Sequence, residues 1–241
     1  MGLFNRTIMM LEHGVKPAWI FDGRPPKLKN GELAKRKKVK EEAKDKMEEA
    51  NEVGNLEDAL KFKTRTVSLT KKMKEDAMTM LKLMGMPVIE APCEAEAQCA
   101  ALCKAGKVFA TVSEDLDSLT FGSKILLRGL NSKKEPITEV NYDEMLKGLD
   151  LTHQQFVDMC ILCGCDYTET VEGVGPVTAY KLIKQYNDIE SVLKFLEKEN
   201  ENENKKKKYR IPNNFYYQDS RELFYKPEVF DPSEVVVLYR M

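Results

Sequence analysis

Asp22, Glu94, Glu96, Asp115 and Asp117 are the residues whose types and placement could do chemistry together. Asp22 follows the apolar run Pro17–Phe21, Glu94 and Glu96 follow Pro87–Glu90, and Asp115 and Asp117 follow Val108–Val112. Each run reads as a buried strand. In open α/β sheets the carboxyl ends of the strands form the ligand crevice, so three segments deliver acids to one edge. Two carboxylates about 5 Å apart repel by roughly 3 kcal/mol at an effective dielectric near 20. Hard divalent cations remove that conflict, and oxygen-only ligation selects Mg²⁺ or Mn²⁺ over zinc. Such a cluster suits phosphoryl chemistry, in which two ions activate a water and stabilise the leaving oxygen. Taken singly, each acid has a plainer explanation. Asp22 before Gly23 suits a turn, Glu94 and Glu96 suit a helix N-terminus, and Asp115, Asp117 or Asp166 suits a helix cap. Only their convergence argues otherwise. Glu94 and Glu96 are two apart, about 200° around a regular helix, so both converge only if the first sits at an irregular N-terminus.

A basic stretch directly follows Asp22. Lys27–Lys46 holds nine basic and four acidic residues, a local +5 in a chain of net charge −1. Taken alone this is a solvated helix face; beside an acidic pocket it supplies what would draw in a phosphate backbone. A second signal is Val171-Glu-Gly-Val-Gly-Pro176, where two glycines permit a tight turn and Pro176 suits the first position of a helix. Exposed N–H groups there could cradle phosphate, with Lys181 and Lys184 on the helix behind. The alternative is an ordinary helix–helix turn.

These residues need a scaffold. The 241 residues, 42% hydrophobic and 32% charged, suffice for one large domain or two small ones. Strands Pro17–Phe21, Pro87–Glu90, Val108–Val112, Ile125–Leu127 and Ile137–Val140 alternate with helices Leu3–Glu12, Gly31–Val53 and Glu94–Lys104. One further helix from about Leu56 carries a stripe of Met73, Ala77, Met80, Leu81 and Met84 meant for burial. This order predicts an α/β fold with a mainly parallel sheet and helices on both faces. Beyond Tyr142 the chain reads as helical, over Thr152–Cys163, Pro176–Gln185 and Asp188–Lys198, with a low-complexity, disordered insertion at Asn200–Lys208. We therefore expect a core over residues 1–150 and a helical DNA-binding region over 151–241. No run reaches the roughly 18 apolar residues of a membrane span and no signal peptide opens the sequence, so neither export nor a membrane partner is expected. The six cysteines fit reduced thiols better than a disulfide scaffold. Cys160-x-x-Cys163-x-Cys165 lacks a fourth zinc ligand, since His13 and His153 are not spaced to supply one.

Several motifs, taken in order, resemble one family. They are Phe21-Asp22-Gly23-Arg24-Pro25-Pro26 leading into Leu28–Arg36, then Ala91-Pro92-Cys93-Glu94-Ala95-Glu96-Ala97, Glu114–Gly122, Gly164-Cys165-Asp166-Tyr167 and Gly173-x-Gly175-Pro176. Together they resemble the 5′-flap endonucleases of the XPG family, in particular the eukaryotic members. The resemblance implies a PIN-like nuclease core, a helical arch over about residues 31–72 and a helix-hairpin-helix near the C-terminus. It implies two Mg²⁺ ions, replaceable by Mn²⁺, on Asp22, Glu94, Glu96, Asp115, Asp117 and Asp166. Lys29 and Arg36 would contact the scissile phosphate. Arg6, Gly164, Gly173, Gly175 and Lys181 would touch DNA beside Glu94 and Asp166, with a K⁺ ion at Val171 and Gly173. The implied substrate is branched DNA with a 5′ flap, cut as endonuclease and 5′–3′ exonuclease in replication and repair. The implied setting is the nucleus or mitochondrion, with a sliding clamp as protein partner.

Two departures from the family pattern stand out. Its members carry a preceding first strand with another metal-binding Asp, and a C-terminal clamp-binding peptide. The expectation is thus a fragment with impaired activity, the alternative to a working nuclease being a DNA-structure-binding piece. A haloacid-dehalogenase-like phosphatase is disfavoured because Arg24 stands where the second acid is needed.

Overall fold

The structure, a computed structural model, describes residues 2–130, 136–201 and 208–239. Most of the expected insertion at Asn200–Lys208 lies outside the described residues. Helix α1 (Gly2–Glu12) leads to strand β1 (Trp19–Phe21), and a 3₁₀ turn at Lys27–Lys29 leads to the long helix α2 (Asn30–Glu52). α2 is 23 residues long, about 34 Å, and buries only Ala43 and Ala50. It folds back through Gly54, at φ +72°, onto α3 (Leu56–Thr66), which contributes buried Ala59. Asn55 caps α3 by accepting the N–H of Asp58 at 3.2 Å.

The single helix expected from Leu56 is two helices. Val67 leaves α3 in an extended conformation, and the Thr70 hydroxyl starts α4 (Lys71–Leu83) by accepting the Met73 N–H at 3.2 Å. In the expected buried stripe only Leu81 is fully enclosed. Met73 is half exposed and Ala77, Met80 and Met84 are partly covered, because α4 touches the body mainly through β2 (Val88–Glu90).

β2 is followed by α5 (Ala95–Lys104), β3 (Thr111–Val112), the short α6 (Asp117–Thr120), β4 (Ile125–Arg128), β5 (Thr138–Asn141) and α7 (Tyr142–Leu149). The strands form two small sheets among the described residues. β1 and β2 are parallel, with Ile20 opposite Ile89. β3 is parallel to β4, while β4 and β5 run antiparallel, with Leu126 opposite Val140. The mixed pairing follows from sequence spacing: nine residues separate β4 from β5, too few for a crossover, whereas the parallel pairs are joined by helices. An apolar cavity of about 620 Å³ separates β1 from β3, walled by Trp19, Ile20, Thr111, Val112 and Tyr239.

The remaining helices are α8 (His153–Cys163), α9 (Pro176–Tyr186), α10 (Ile189–Glu201) and α11 (Tyr217–Tyr225). Thr152 and Gln155 form a reciprocal capping box at the start of α8. The main core packs Val157, Ile161, Leu182, Ile183, Val192 and Leu196 together with Ala97, Ala100 and Phe121, so packing continues across residue 150. Phe224 of α11 stands 5.1 Å from Phe121 and 5.2 Å from Tyr167, ring centre to ring centre. That aromatic trio ties the end of α6 to the segment after α8, and Asp117 and Asp166 from these two segments line one pocket. No helix among the described residues is long and apolar enough to cross a membrane.

Candidate metal and phosphate site

Four chain segments bring their acids together beside the ends of β1 and β2. Asp22 leaves β1, and its Oδ1 accepts the Ala95 N–H at 2.9 Å, tying it to the start of α5. Gly23 is required beside it, because a Cβ there would stand 1.9 Å from the Ala91 carbonyl oxygen. Glu94 occupies the N-cap of α5 in an extended conformation and Glu96 lies in the first turn. The irregular N-terminus thus resolves the 200° problem. One carboxylate oxygen from each of Asp22, Glu94 and Glu96 falls within 4.8 Å of the others. Asp115 and Asp117 follow β3, with the Asp117 N–H donating to Asp115 Oδ1 at 3.0 Å. Asp166 comes from the loop after α8. All six acids line one polar pocket of about 170 Å³, together with Lys29, Arg36, Phe121 and Tyr167.

The charge in this pocket is only partly offset. Burial, and then the charges of Asp115, Asp166 and Glu96, push the Asp117 carboxyl up to about 7. Burial likewise raises Glu96, reinforced by Asp22, Asp115 and Glu94. Two cations oppose them. Lys29 Nζ donates to Glu94 Oε2 at 2.7 Å and lies 3.3 Å from Asp166 Oδ2. Burial would lower the Lys29 ammonium, but the bond to Glu94 and the charges of Glu94 and Asp166 outweigh it and raise it. Arg36 donates through Nη2 to both Asp166 oxygens, at 3.0 and 2.9 Å, and through Nε to Glu32 at 2.8 Å. An all-carboxylate donor set with surplus negative charge fits hard divalent ions.

The second candidate region is the turn between α8 and α9. Gly164, at φ +110°, ends α8, and Gly173 sits at φ +90°. Val171 and Val174 are buried in the main core and act as anchors, leaving Glu172, Gly173 and Gly175 on the surface. Gly175 is the N-cap of α9 and Pro176 its first residue, so the N–H groups of the first turn face outward without helical partners. Lys181 is exposed on α9, whereas Lys184 is drawn to Asp150, 2.5 Å from Oδ2. Arg6 lies apart from the acidic pocket, on α1, where it lines the apolar cavity.

Three contacts were not anticipated from the sequence. Lys74 on α4 donates to the Asp22 carbonyl oxygen and to Glu90 Oε1, the latter at 2.6 Å. Glu32 braces Arg36, and Lys35 bridges to Glu169 at 2.9 Å, linking α2 to the segment after α8. The Lys74 and Lys35 partners lie 16 to 134 residues away and leave no local pattern to read, whereas Glu32–Arg36 is an i,i+4 pair on one helix.

Residues 1–43 match the XPG N-terminal domain and residues 85–166 the XPG I-region. The chain is 61% identical to flap endonuclease 1-2 of Paramecium tetraurelia, over 95% of its own length and 59% of the relative's. It is 56% identical to flap endonuclease 1 of Tetrahymena thermophila, over 97% and 61%. It thus spans about three fifths of the length of these relatives. Among solved structures it resembles flap endonuclease-1 from Methanococcus jannaschii, with TM-score 0.67 and 35% identity over 95% of this chain and 68% of that one. It also resembles the catalytic core of Rad2 in complex with DNA substrate, with TM-score 0.74 and 25% identity over 98% and 73%.

Proposed function

Because the chain belongs to the XPG family of flap endonucleases, we propose that it hydrolyses DNA phosphodiesters at 5′ flaps, as structure-specific endonuclease and 5′–3′ exonuclease in replication and repair. The observation that carries this reading is the gathering of six carboxylates from distant segments into one pocket beside two basic side chains. Asp22, Glu94, Glu96, Asp115, Asp117 and Asp166 would hold two Mg²⁺ or Mn²⁺ ions, which when bound supply an activated water and stabilise the leaving oxygen. Lys29 and Arg36 reach the same pocket from the foot of α2 and would neutralise and orient the scissile phosphate. No Ser or Cys nucleophile is needed for this reaction. The thiols of Cys99, Cys160, Cys163 and Cys165 are raised by burial, which makes them poor nucleophiles.

The turn Gly173–Pro176 would grip duplex DNA through phosphate, with Gly164 and Lys181 beside it and a K⁺ ion at Val171 and Gly173. Its exposed N–H groups suit backbone contact without base reading. Arg6 would touch DNA from α1, and α2 with α3 would form the arch around the single-stranded flap. Family membership alone supports a sliding clamp as partner and the nucleus or mitochondrion as setting.

Cleavage of a 5′-flap duplex with Mg²⁺, compared with Ca²⁺, tests the reading. Cutting in Mg²⁺ only is expected; binding without cutting in either ion would leave a DNA-structure-binding piece instead. Gly175→Val tests the grip separately. A Cβ at Gly175 meets nothing within 4 Å, so the fold should survive. The added side chain should weaken binding about tenfold for every duplex sequence, and a sequence-selective loss would contradict the backbone account.

A further inference from the structure

We infer that Lys29 and Arg36 are exchangeable counter-cations of the acidic pocket, competing with divalent ions for Glu94 and Asp166, so that metal loading releases the foot of α2 toward the phosphate. The inference rests on the reading of the pocket as a metal site and adds a linkage between that site and the arch.

The geometry is specific. Lys29 ends the 3₁₀ turn before α2 and Arg36 follows seven residues later, two helical turns on, so both project from one face. Their ammonium and guanidinium groups are bonded to the oxygens a metal would use. Lys29 takes Glu94 Oε2 at 2.7 Å, with side-chain exposures of only 16% and 9%, and Arg36 engages both Asp166 oxygens. A carboxylate oxygen in a short charge-assisted bond gives up that bond, or shares it at a cost, to become a metal ligand. Two divalent ions would supply four positive charges to a pocket holding six carboxylates. The two side chains would then face a remainder of about two negative charges instead of six, and would hold the carboxylates less tightly. Anchored on α2 at the pocket's edge, they would be free to face an incoming phosphate. By linkage the effect is reciprocal: metal binding weakens the Lys29–Glu94 bond by the same factor as that bond weakens metal binding.

Lys74 provides the internal control. It carries the same charge close to the pocket, but it bonds the backbone carbonyl of Asp22 and Glu90, which is not among the six acids. Competition for a ligand oxygen therefore acts at Lys29 and not at Lys74, which lies near the pocket without holding any of its six carboxylates.

The test is Mn²⁺ binding to the 241-residue chain without DNA, followed by electron paramagnetic resonance of the free ion. Lys29→Met should tighten binding by about fivefold or more, within the usual range of coupling between linked sites. Lys29→Arg, which restores a competing cation, should return close to wild type. Lys74→Met should shift affinity by less than about twofold, as expected of a charge outside the ligand set. Unchanged or weaker binding in Lys29→Met, or equal tightening in Lys29→Met and Lys74→Met, would overturn the exchange while leaving the metal site intact. Absence of saturable Mn²⁺ binding in the wild type would overturn both. Hydrogen exchange in the Glu32–Lys40 amides gives a second readout. It should quicken when Mn²⁺ is added to the wild type, and unchanged exchange would contradict release of the helix foot.

Discussion

The molecule holds two groups of inward-facing acids, and they are built on opposite terms. In the helical lobe, Asp158 is fully buried yet completely served. Arg221 donates to its two oxygens at 2.7 and 2.9 Å, and the Ile189 N–H adds a third bond at 3.2 Å. The same guanidinium also holds Glu190 at 2.9 and 3.0 Å, and these bonds keep Glu190 below the usual carboxylate range. Two acids share one arginine, and α8, α10 and α11 are pinned together. In the pocket beside β1 and β2, six carboxylates share the ion pairs of Lys29 and Arg36, and Asp117 is pushed up to about 7 by burial and like charge. The first arrangement is saturated with hydrogen bonds and structural, although burial still raises the Asp158 carboxyl. The second carries an excess of negative charge that costs stability, which is the expected mark of a site built to receive cations.

The largest effect that would break this contrast is on cleavage. Asp115→Ala combined with Asp117→Ala should reduce flap cutting by at least about 10³-fold, because the loss falls on transition-state stabilisation. Duplex binding, measured by anisotropy, should stay within a few-fold of wild type; retained cutting would remove these acids from the mechanism. The next effect is on stability. Arg221→Met leaves Asp158 buried and unpaired, which should cost about 3–5 kcal/mol and lower the melting temperature by about 10 °C. A change of only a degree or two in calorimetry would show that the triad is not structural. The pocket should respond with the opposite sign. Asp117→Asn relieves repulsion and should raise stability by about 1 kcal/mol while abolishing activity. A destabilised Asp117→Asn would make the pocket resemble the triad and end the comparison. The smallest effect belongs to the exposed pair. Lys35→Ala removes the bridge to Glu169, whose side chains are about half exposed, and should cost less than about 1 kcal/mol in denaturant unfolding.

Legibility in the sequence followed the range of the interactions. Local signals carried well: Pro176 at the first turn of α9, and the strand-end placement of Asp22, Glu94 and Asp115, have short-range causes. Gly23 was visible as a turn residue, but the reason for it, the Ala91 carbonyl pressed against its α-carbon, lies across the β1–β2 pair. The break between α3 and α4 was missed because helix-forming residues flank it closely on both sides and one threonine hydroxyl decides it. The β1–β2 pairing, the Asp158–Arg221–Glu190 triad and the Lys74 bond to Asp22 depend on partners 31 to 69 residues apart, and no periodicity records them. The acidic pocket stood out only because three separate strand ends told the same story.

Calorimetric titration of Mg²⁺ into the wild-type chain and into a Glu96→Gln, Asp117→Asn variant bears most directly on the central claim. Saturable binding in the wild type that disappears in the variant is the predicted result. Equal binding in both proteins, or none in the wild type, would mean that these carboxylates do not form a metal site.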